Sequence, residues 1–98
     1  MTNMGNNTGT SGSGGPGADE VWIQGMAYTP VTITVAAGTT ITWTNKDAVA
    51  HTVTSNSGLF SSGSLAPNGT YSHQFSTAGT YSYYCSVHPS MTATVIIN

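Results

Sequence analysis

From residue 20 onward, hydrophobic and polar side chains alternate in short runs that are separated by Gly, Pro and Asn. In the run 39–45, Ile41 and Trp43 share one face, while Thr40, Thr42 and Thr44 share the other. A period of two is typical of a strand with one buried face. No segment shows the 3.6-residue period of an amphipathic helix. The pattern predicts seven strands, at 20–26, 30–36, 39–45, 48–54, 70–76, 79–85 and 91–97.

Seven short strands with turn signals between them predict an all-β fold, a β-sandwich. Residues 55–69 form the longest irregular stretch, and we expect Phe60 and Leu65 to pin it to the core. Tyr81 follows Ala-Gly-Thr, a setting that suits a tyrosine corner. Met26 lies in an early predicted strand, and we expect it to belong to the core.

The first 18 residues have a different character, because they consist almost entirely of Gly, Asn, Ser and Thr. Such low complexity predicts a flexible tether over residues 1–18 and a folded domain over residues 19–98. A chain of 98 residues is long enough for one domain and not for two. We expect the tether to join the domain to an export signal, a lipid anchor or another domain.

Charged side chains are scarce, and the formal net charge is −2. Nucleic-acid binding needs clustered Lys and Arg, so this class is excluded. No apolar run approaches the roughly 20 residues of a transmembrane helix, so we expect no transmembrane segment. The single cysteine, Cys85, excludes an internal disulfide, and its thiol must be explained by burial or by reactivity.

The candidate chemistry lies in the segment 83–91, YYCSVHPSM. Cys85 is followed three residues later by His88 and six residues later by Met91, while His51 comes from an earlier predicted strand. Thiolate and thioether are soft ligands that favour Cu(I), and imidazole suits both oxidation states of copper. A trigonal pair of histidines and a cysteine with a weak axial methionine is the arrangement of electron-transfer copper sites.

Other interpretations compete with this one, because taken singly each of these residues would more often be structural. Copper storage or delivery usually needs exposed clusters of Cys or Met, and multicopper oxidases need His-x-His pairs, which the chain lacks. A mononuclear copper enzyme with an open position remains the enzymatic alternative. Zinc accepts two histidines and a cysteine, but a thioether is a poor zinc ligand.

Together these segments resemble the cupredoxins, and within them the branch of amicyanin, pseudoazurin and plastocyanin. The similarity covers nearly all of residues 21–97 and is carried by YTPVTITVAAGTTITWTNKD, AHTVTS, GTYSHQF, AGTYSYYCSVHPSM and TATVIIN. The resemblance implies a Greek-key sandwich of about 7–8 strands that holds one copper ion at one end. By that likeness His51, Cys85 and His88 are the strong ligands and Met91 is the weak axial ligand.

The sequence departs from the family pattern at three positions near these ligands. Ala50 stands where the family usually has Pro, Ala93 where Gly is frequent, and Thr52 where Asn is common. None of these changes removes a ligand. We expect the Thr52 hydroxyl to hydrogen-bond across the loop and support the ligands from behind.

The resemblance also implies a function, which is the transfer of single electrons through a Cu(I)/Cu(II) couple rather than enzymatic catalysis. Transient redox partners would dock near His88, against the apolar neighbours Val87, Pro89 and Ala50.

We expect a monomer that is periplasmic or extracellular and is held to a membrane or a larger protein through its tether. Tyr84 has outward parity, so it serves either as a second electron route or simply as a solvated tyrosine. His73 is expected to be structural and to lie outside the site.

Overall fold

The computed structural model of the protein describes residues 15–98, so residues 1–14 of the predicted tether lie outside the described residues. The boundary between the tether at 1–18 and the domain at 19–98 therefore stays a prediction. Across the described range the chain forms strands, and none of it forms a helix that is long and apolar enough to cross a membrane. The strands are β1 (Glu20–Ile23), β2 (Tyr28–Thr29), β3 (Thr32–Val35), β4 (Thr39–Asn45), β5 (Thr54–Ser55), β6 (Thr70–Phe75), β7 (Gly79–Tyr84) and β8 (Thr92–Ile97).

These strands form two four-stranded sheets, one in the order β2-β1-β4-β6 and the other in the order β3-β8-β7-β5. The pairs β1–β4 and β3–β8 are parallel, and the other pairs are antiparallel. Since neighbours in each sheet are mostly distant in sequence, the chain crosses repeatedly between the sheets. The predicted fold class, a Greek-key β-sandwich of about 7–8 strands, is confirmed.

The core lies between the sheets and follows the predicted alternation. Ile41 and Trp43 on β4 have no exposed surface, while Thr40 just before them is exposed and Thr42 between them is half-buried. Burying side chains of this size contributes about 1.5–3 kcal/mol each. The Trp43 indole N–H donates a hydrogen bond of 3.1 Å to the Tyr83 hydroxyl, which ties β4 of one sheet to β7 of the other. The rings of Phe60, Tyr71, Phe75 and Tyr83 surround Trp43 at centroid distances of 5.6–6.3 Å.

The prediction of a strand over 48–54 is wrong, since the only residue of it in a strand is Thr54. The side chain of Asn45 explains the difference. Its amide donates to the backbone oxygens of Val49 and Leu65, each at 2.9 Å, and its oxygen accepts the Asp47 N–H at 3.0 Å. These bonds turn the chain immediately after β4. The segment 46–53 is therefore a loop, which pairs with Leu65 through an isolated β-bridge at His51.

The first predicted strand is also shorter than expected, because the chain turns at 24–27. Gly25 and Met26 have φ angles of 66° and 60°, in the left-handed region that Met adopts only under constraint. The expectation of a core position for Met26 is therefore wrong, and its side chain is 44% exposed. The chain returns from this turn as the unpredicted strand β2.

Two smaller expectations are confirmed. Phe60 and Leu65 are buried and hold the irregular stretch 55–69 against the core. The Tyr81 hydroxyl donates to the backbone oxygen of Thr77, which is the tyrosine corner expected before β7. The sandwich is therefore closed at this end by a side chain that ties the turn 76–78 to β7.

Replacing Tyr83 by Phe should destabilise the metal-free protein by about 1–3 kcal/mol, because the buried Trp43 N–H would lose its acceptor. Urea unfolding of the metal-free protein measures this loss. Tyr84→Phe is the matched control, since Tyr84 has the outward parity and is only half-buried. Equal losses in the two variants would contradict the assigned role of the Trp43–Tyr83 bond.

Candidate metal centre

Two of the four candidate ligands flank the turn between the antiparallel strands β7 and β8. Cys85 directly follows β7, and Met91 directly precedes β8. The Cys85 N–H donates to the Met91 oxygen at 3.0 Å, and the Met91 N–H donates to the His88 oxygen at 2.9 Å. These two bonds close the loop 85–91 at its base and fold it back on itself. The candidate ligands Cys85 and His88 can then converge on one side of the loop.

The third candidate, His51, lies in the loop 46–53. It exchanges backbone hydrogen bonds with Leu65, at 3.2 Å and 2.8 Å, and its side chain is fully buried. The next residue, Thr52, donates its N–H to the Cys85 sulfur at 3.3 Å. The loop that carries His51 is therefore fastened directly to the thiol that the other loop presents.

The distances between the donor atoms fit a bound ion. Nδ1 of His51 lies 3.7 Å from the Cys85 sulfur, and Nδ1 of His88 lies 3.9 Å from it. An ion bound at about 2.3 Å to a thiolate and about 2.0 Å to an imidazole, with angles of about 120°, would place sulfur and nitrogen about 3.7 Å apart. All three donor atoms lie within 4.8 Å of one another, which leaves space for one ion between them.

Met91, the fourth candidate ligand, is buried at the base of the same loop. Its side chain is 6% exposed and belongs to the same buried cluster as Cys85. His88, in contrast, is only half-buried, so it is the part of the site nearest to solvent. The structure brings His51, Cys85 and His88 together and places Met91 at the base of the same loop.

The electrostatics of the site favour a thiolate. Burial alone would raise the pKa of Cys85, but the hydrogen bond from the Thr52 N–H and the imidazole rings of His51 and His88 beside the sulfur outweigh it. Together with the His88 N–H they lower the pKa of the Cys85 thiol to about 6. The thiolate is the form that binds a metal, and the lowered pKa makes this form the prevailing one near neutral pH.

The Thr52 hydroxyl behaves as expected. It accepts the Ser86 N–H at 2.8 Å and lies 3.1 Å from the Ser86 hydroxyl, across the gap between the two loops. It also pairs with the Thr54 hydroxyl at 2.9 Å. The Thr52 hydroxyl therefore links the loop that carries His51 to the loop that carries Cys85.

Sequence reasoning missed Asp47. Its carboxylate lies 2.8 Å from Nε2 of His51, on the side of the ring away from the sulfur, and accepts N–H bonds from Gly25 and Met26. Burial would raise the pKa of Asp47, but these N–H bonds and His51 lower it below its ordinary value. The sequence did contain one signal for this contact. Asp47 is one of only three acidic residues in the chain, and it lies four residues before the candidate ligand His51.

Two further residues lie outside the cluster. His73 sits between the rings of Phe60 and Phe75, at centroid distances of 5.1 Å and 4.8 Å, as befits its expected structural role. Tyr84 is half-buried on β7, with parity opposite to that of the fully buried Cys85. Its role as an electron route stays a prediction.

Comparisons with known proteins agree with this architecture. The sequence model of a family described as the cupredoxin-like domain matches residues 15–97. The amicyanin-alpha of Methylorubrum extorquens is 36% identical over 86 residues, which cover 83% of this chain and 72% of that protein. The family match extends through both loops that carry candidate ligands and through both sheets.

Solved structures give the same result. A purple cupredoxin from Nitrosopumilus maritimus superposes with a TM-score of 0.75 and 32% identity, covering 81% of this chain and 98% of that one. A methionine-to-alanine variant of amicyanin, solved in its Cu(I) form, superposes with a TM-score of 0.77 and 30% identity, covering 89% of this chain and 85% of that one.

The lowered pKa of Cys85 predicts a pH-dependent stability of the metal-free protein. Between about pH 6 and pH 9 the unfolded thiol holds a proton that the folded one has lost. The free energy of unfolding should therefore rise with pH across this range, by up to about 1.4 kcal/mol per unit, and this contribution should be lost as pH falls through 6. Urea unfolding at several pH values in the presence of a chelator measures the slope.

The control is Cys85→Ser, which removes the titrating thiol. The difference in slope between the two proteins isolates the contribution of Cys85. Identical slopes, or thiolate ultraviolet absorbance that appears only near pH 9, would show that the site does not stabilise the thiolate.

Proposed function

Because the chain belongs to the cupredoxin-like family, we propose that His51, Cys85, His88 and Met91 hold its copper ion. The protein is a mononuclear copper protein that carries single electrons between redox partners. The observation that carries the ligand assignment is the spacing of the Cys85 sulfur from the two imidazole nitrogens, 3.7 Å and 3.9 Å, which matches a trigonal ion. A related amicyanin variant is known in a Cu(I) form, which supports the choice of metal.

Copper supplies the one-electron couple, and the residues of this chain supply a frame that changes little between the two oxidation states. Thr52 fastens the His51 loop to the Cys85 loop by its N–H and its hydroxyl. The Met91 backbone closes the second loop against Cys85 and His88. Because these bonds exist without the ion, the ligands need little movement when the charge of the ion changes.

Zinc and enzymatic chemistry are the less favoured alternatives. Met91 offers a thioether, which is a poor ligand for zinc and a good one for Cu(I). A catalytic metal needs an open position for water or substrate, whereas the proposed set of four protein donors would leave no such position. We therefore assign electron transfer and no enzymatic activity.

His88 is the proposed point of electron entry and exit. It is the half-buried ligand, and exposed apolar side chains come from the segments that flank the site: Val87 is 51% exposed, Val49 49% and Met26 44%. An uncharged surface of this kind suits transient redox partners, whose interfaces are small. With four charged residues in the chain, association should depend only weakly on salt.

The working context follows from the same proposal. We propose that the protein acts as a monomer in the periplasm or outside the cell, held there through residues 1–18. The lack of clustered basic residues argues against nucleic acid as a partner. These assignments are supported by the likeness to amicyanin and by the composition of the tether.

Adding Cu(II) to the metal-free protein should produce an intense visible absorption band that bleaches on reduction, since a thiolate bound to Cu(II) absorbs strongly. Cys85→Ser and His88→Ala should abolish this band. His73→Ala is the matched control for His88→Ala, because His73 is half-buried but lies outside the cluster, and it should leave the band intact. A band that survives in Cys85→Ser would overturn the proposed ligand set.

Electron self-exchange between oxidised and reduced copies tests the docking surface. Val87→Asp should slow it by about tenfold, because two copies meeting at this surface would bring like charges together at a cost of about 1.4 kcal/mol. Nuclear magnetic resonance line broadening in mixtures of the two states measures the rate. Leu59→Asp is the control, since Leu59 is 62% exposed and lies beside Thr77 and Tyr81, toward the opposite end of β7. Equal slowing in both variants would contradict docking near His88.

A further inference from the structure

The buried ring of His51 is held from both sides. Its Nδ1 faces the Cys85 sulfur at 3.7 Å, and its Nε2 meets an Asp47 carboxylate oxygen at 2.8 Å. His51 has no exposed side-chain surface, and the Asp47 side chain is 15% exposed. A short bond between a buried imidazole and a partly exposed carboxylate is charge-assisted, and the buried imidazole shields it in part from solvent.

The carboxylate of Asp47 is itself fixed in place. One oxygen accepts the Gly25 N–H at 2.7 Å, and the other accepts the Met26 N–H at 3.0 Å. Both donors belong to residues with left-handed φ angles, so the turn 24–27 presents two consecutive N–H groups to the anion. The backbone N–H of Asp47 is held by the Asn45 side chain at 3.0 Å. A carboxylate anchored at this many points can orient the ring that it contacts.

We propose that Asp47 is the positioning residue of the copper centre, which fixes His51 as the Nε2–H tautomer and stabilises Cu(II) relative to Cu(I). This inference rests on the proposed function. An ionised carboxylate only accepts hydrogen bonds, so Nε2 of His51 carries the proton and Nδ1 keeps its lone pair toward the ion. A carboxylate behind a metal-bound imidazole also raises the basicity of that ligand.

A purely structural role for Asp47 is the alternative, in which it serves only as the acceptor for the turn 24–27. Asp47→Asn separates the two roles. Asparagine keeps one acceptor oxygen, which can serve either the Gly25 N–H or the pair of Met26 and His51, and the variant has no negative charge. A structural role predicts a change in stability alone, whereas the proposed role predicts a change in tautomer and in reduction potential.

The first experiment needs no copper. Nitrogen-15 nuclear magnetic resonance of the metal-free protein reports which ring nitrogen of His51 carries the proton. We expect Nε2–H in the wild type and a mixture of tautomers in Asp47→Asn. A wild-type His51 protonated on Nδ1 would overturn the proposal even if the protein binds copper. Conversely, if no copper binds, the tautomer still decides how Asp47 orients the ring.

The second experiment measures copper binding and the potential. Asp47→Asn should bind Cu(II) about 10–100-fold more weakly, and Cu(I) less so, because loss of a carboxylate behind a ligand imidazole has effects of this size. Each tenfold by which the Cu(II) loss exceeds the Cu(I) loss raises the reduction potential by about 59 mV.

Two variants complete the test. Asp19→Asn removes the same charge from an exposed residue at the start of β1 and should leave both affinities unchanged. Asp47→Glu keeps the anion and should recover part of the wild-type potential. If Asp47→Asn folds poorly, Asp47→Glu still tests the proposal. Equal shifts in Asp19→Asn and Asp47→Asn, or a destabilised Asp47→Asn with an unchanged tautomer and potential, would reduce Asp47 to an acceptor for the turn.

Discussion

A thiolate with no exposed surface has to be stabilised by the protein around it, and this requirement shapes the end of the sandwich. Cys85 is fully buried, yet the pKa of its thiol is lowered to about 6. The Thr52 N–H at 3.3 Å is the main backbone donor to the sulfur. It reaches that point only because the chain leaves β4 and curls through the loop 46–53 instead of continuing as a strand. The irregular backbone that Asn45 imposes after β4 is therefore what brings the Thr52 N–H to the sulfur.

The sandwich below the site holds these loops in register. Trp43 on β4 and Tyr83 on β7 share a buried hydrogen bond of 3.1 Å, and each strand ends near a ligand loop. Asn45 at the end of β4 shapes the His51 loop, while Cys85 follows the end of β7. Because both loops grow from strands that are locked to each other across the core, their separation is set by the core rather than by the ion. A preset separation limits the movement that accompanies a change of oxidation state.

The sequence predicted the parts of this protein that depend on local pattern and missed those that depend on tertiary hydrogen bonds. The alternation around Ile41 and Trp43 identified β4, and the candidates His51, Cys85 and His88, chosen from the sequence, lie together in the structure. The strand predicted over 48–54 is absent because bonds from the Asn45 side chain to Val49 and Leu65, a partner 20 residues away, override a β-prone sequence. The exposure of Met26 has a similar cause, since its N–H is drawn to a carboxylate 21 residues away. Periodicity does not report such distant partners.

The scarcity of charge in this chain gives Asp47 unusual weight. Only four side chains are charged, and the one cation, Lys46, lies over the Trp22 ring at 4.6 Å. Around the proposed site the charges are then the Cys85 thiolate, the Asp47 carboxylate and the ion itself. With a doubly charged ion these sum to zero, and with a singly charged ion they leave one negative charge in a poorly solvated place. Interactions between charges are strong there and few neighbours compensate them, so the balance favours the oxidised state. A protein with so few charges can therefore set its potential through a single carboxylate placed behind a ligand.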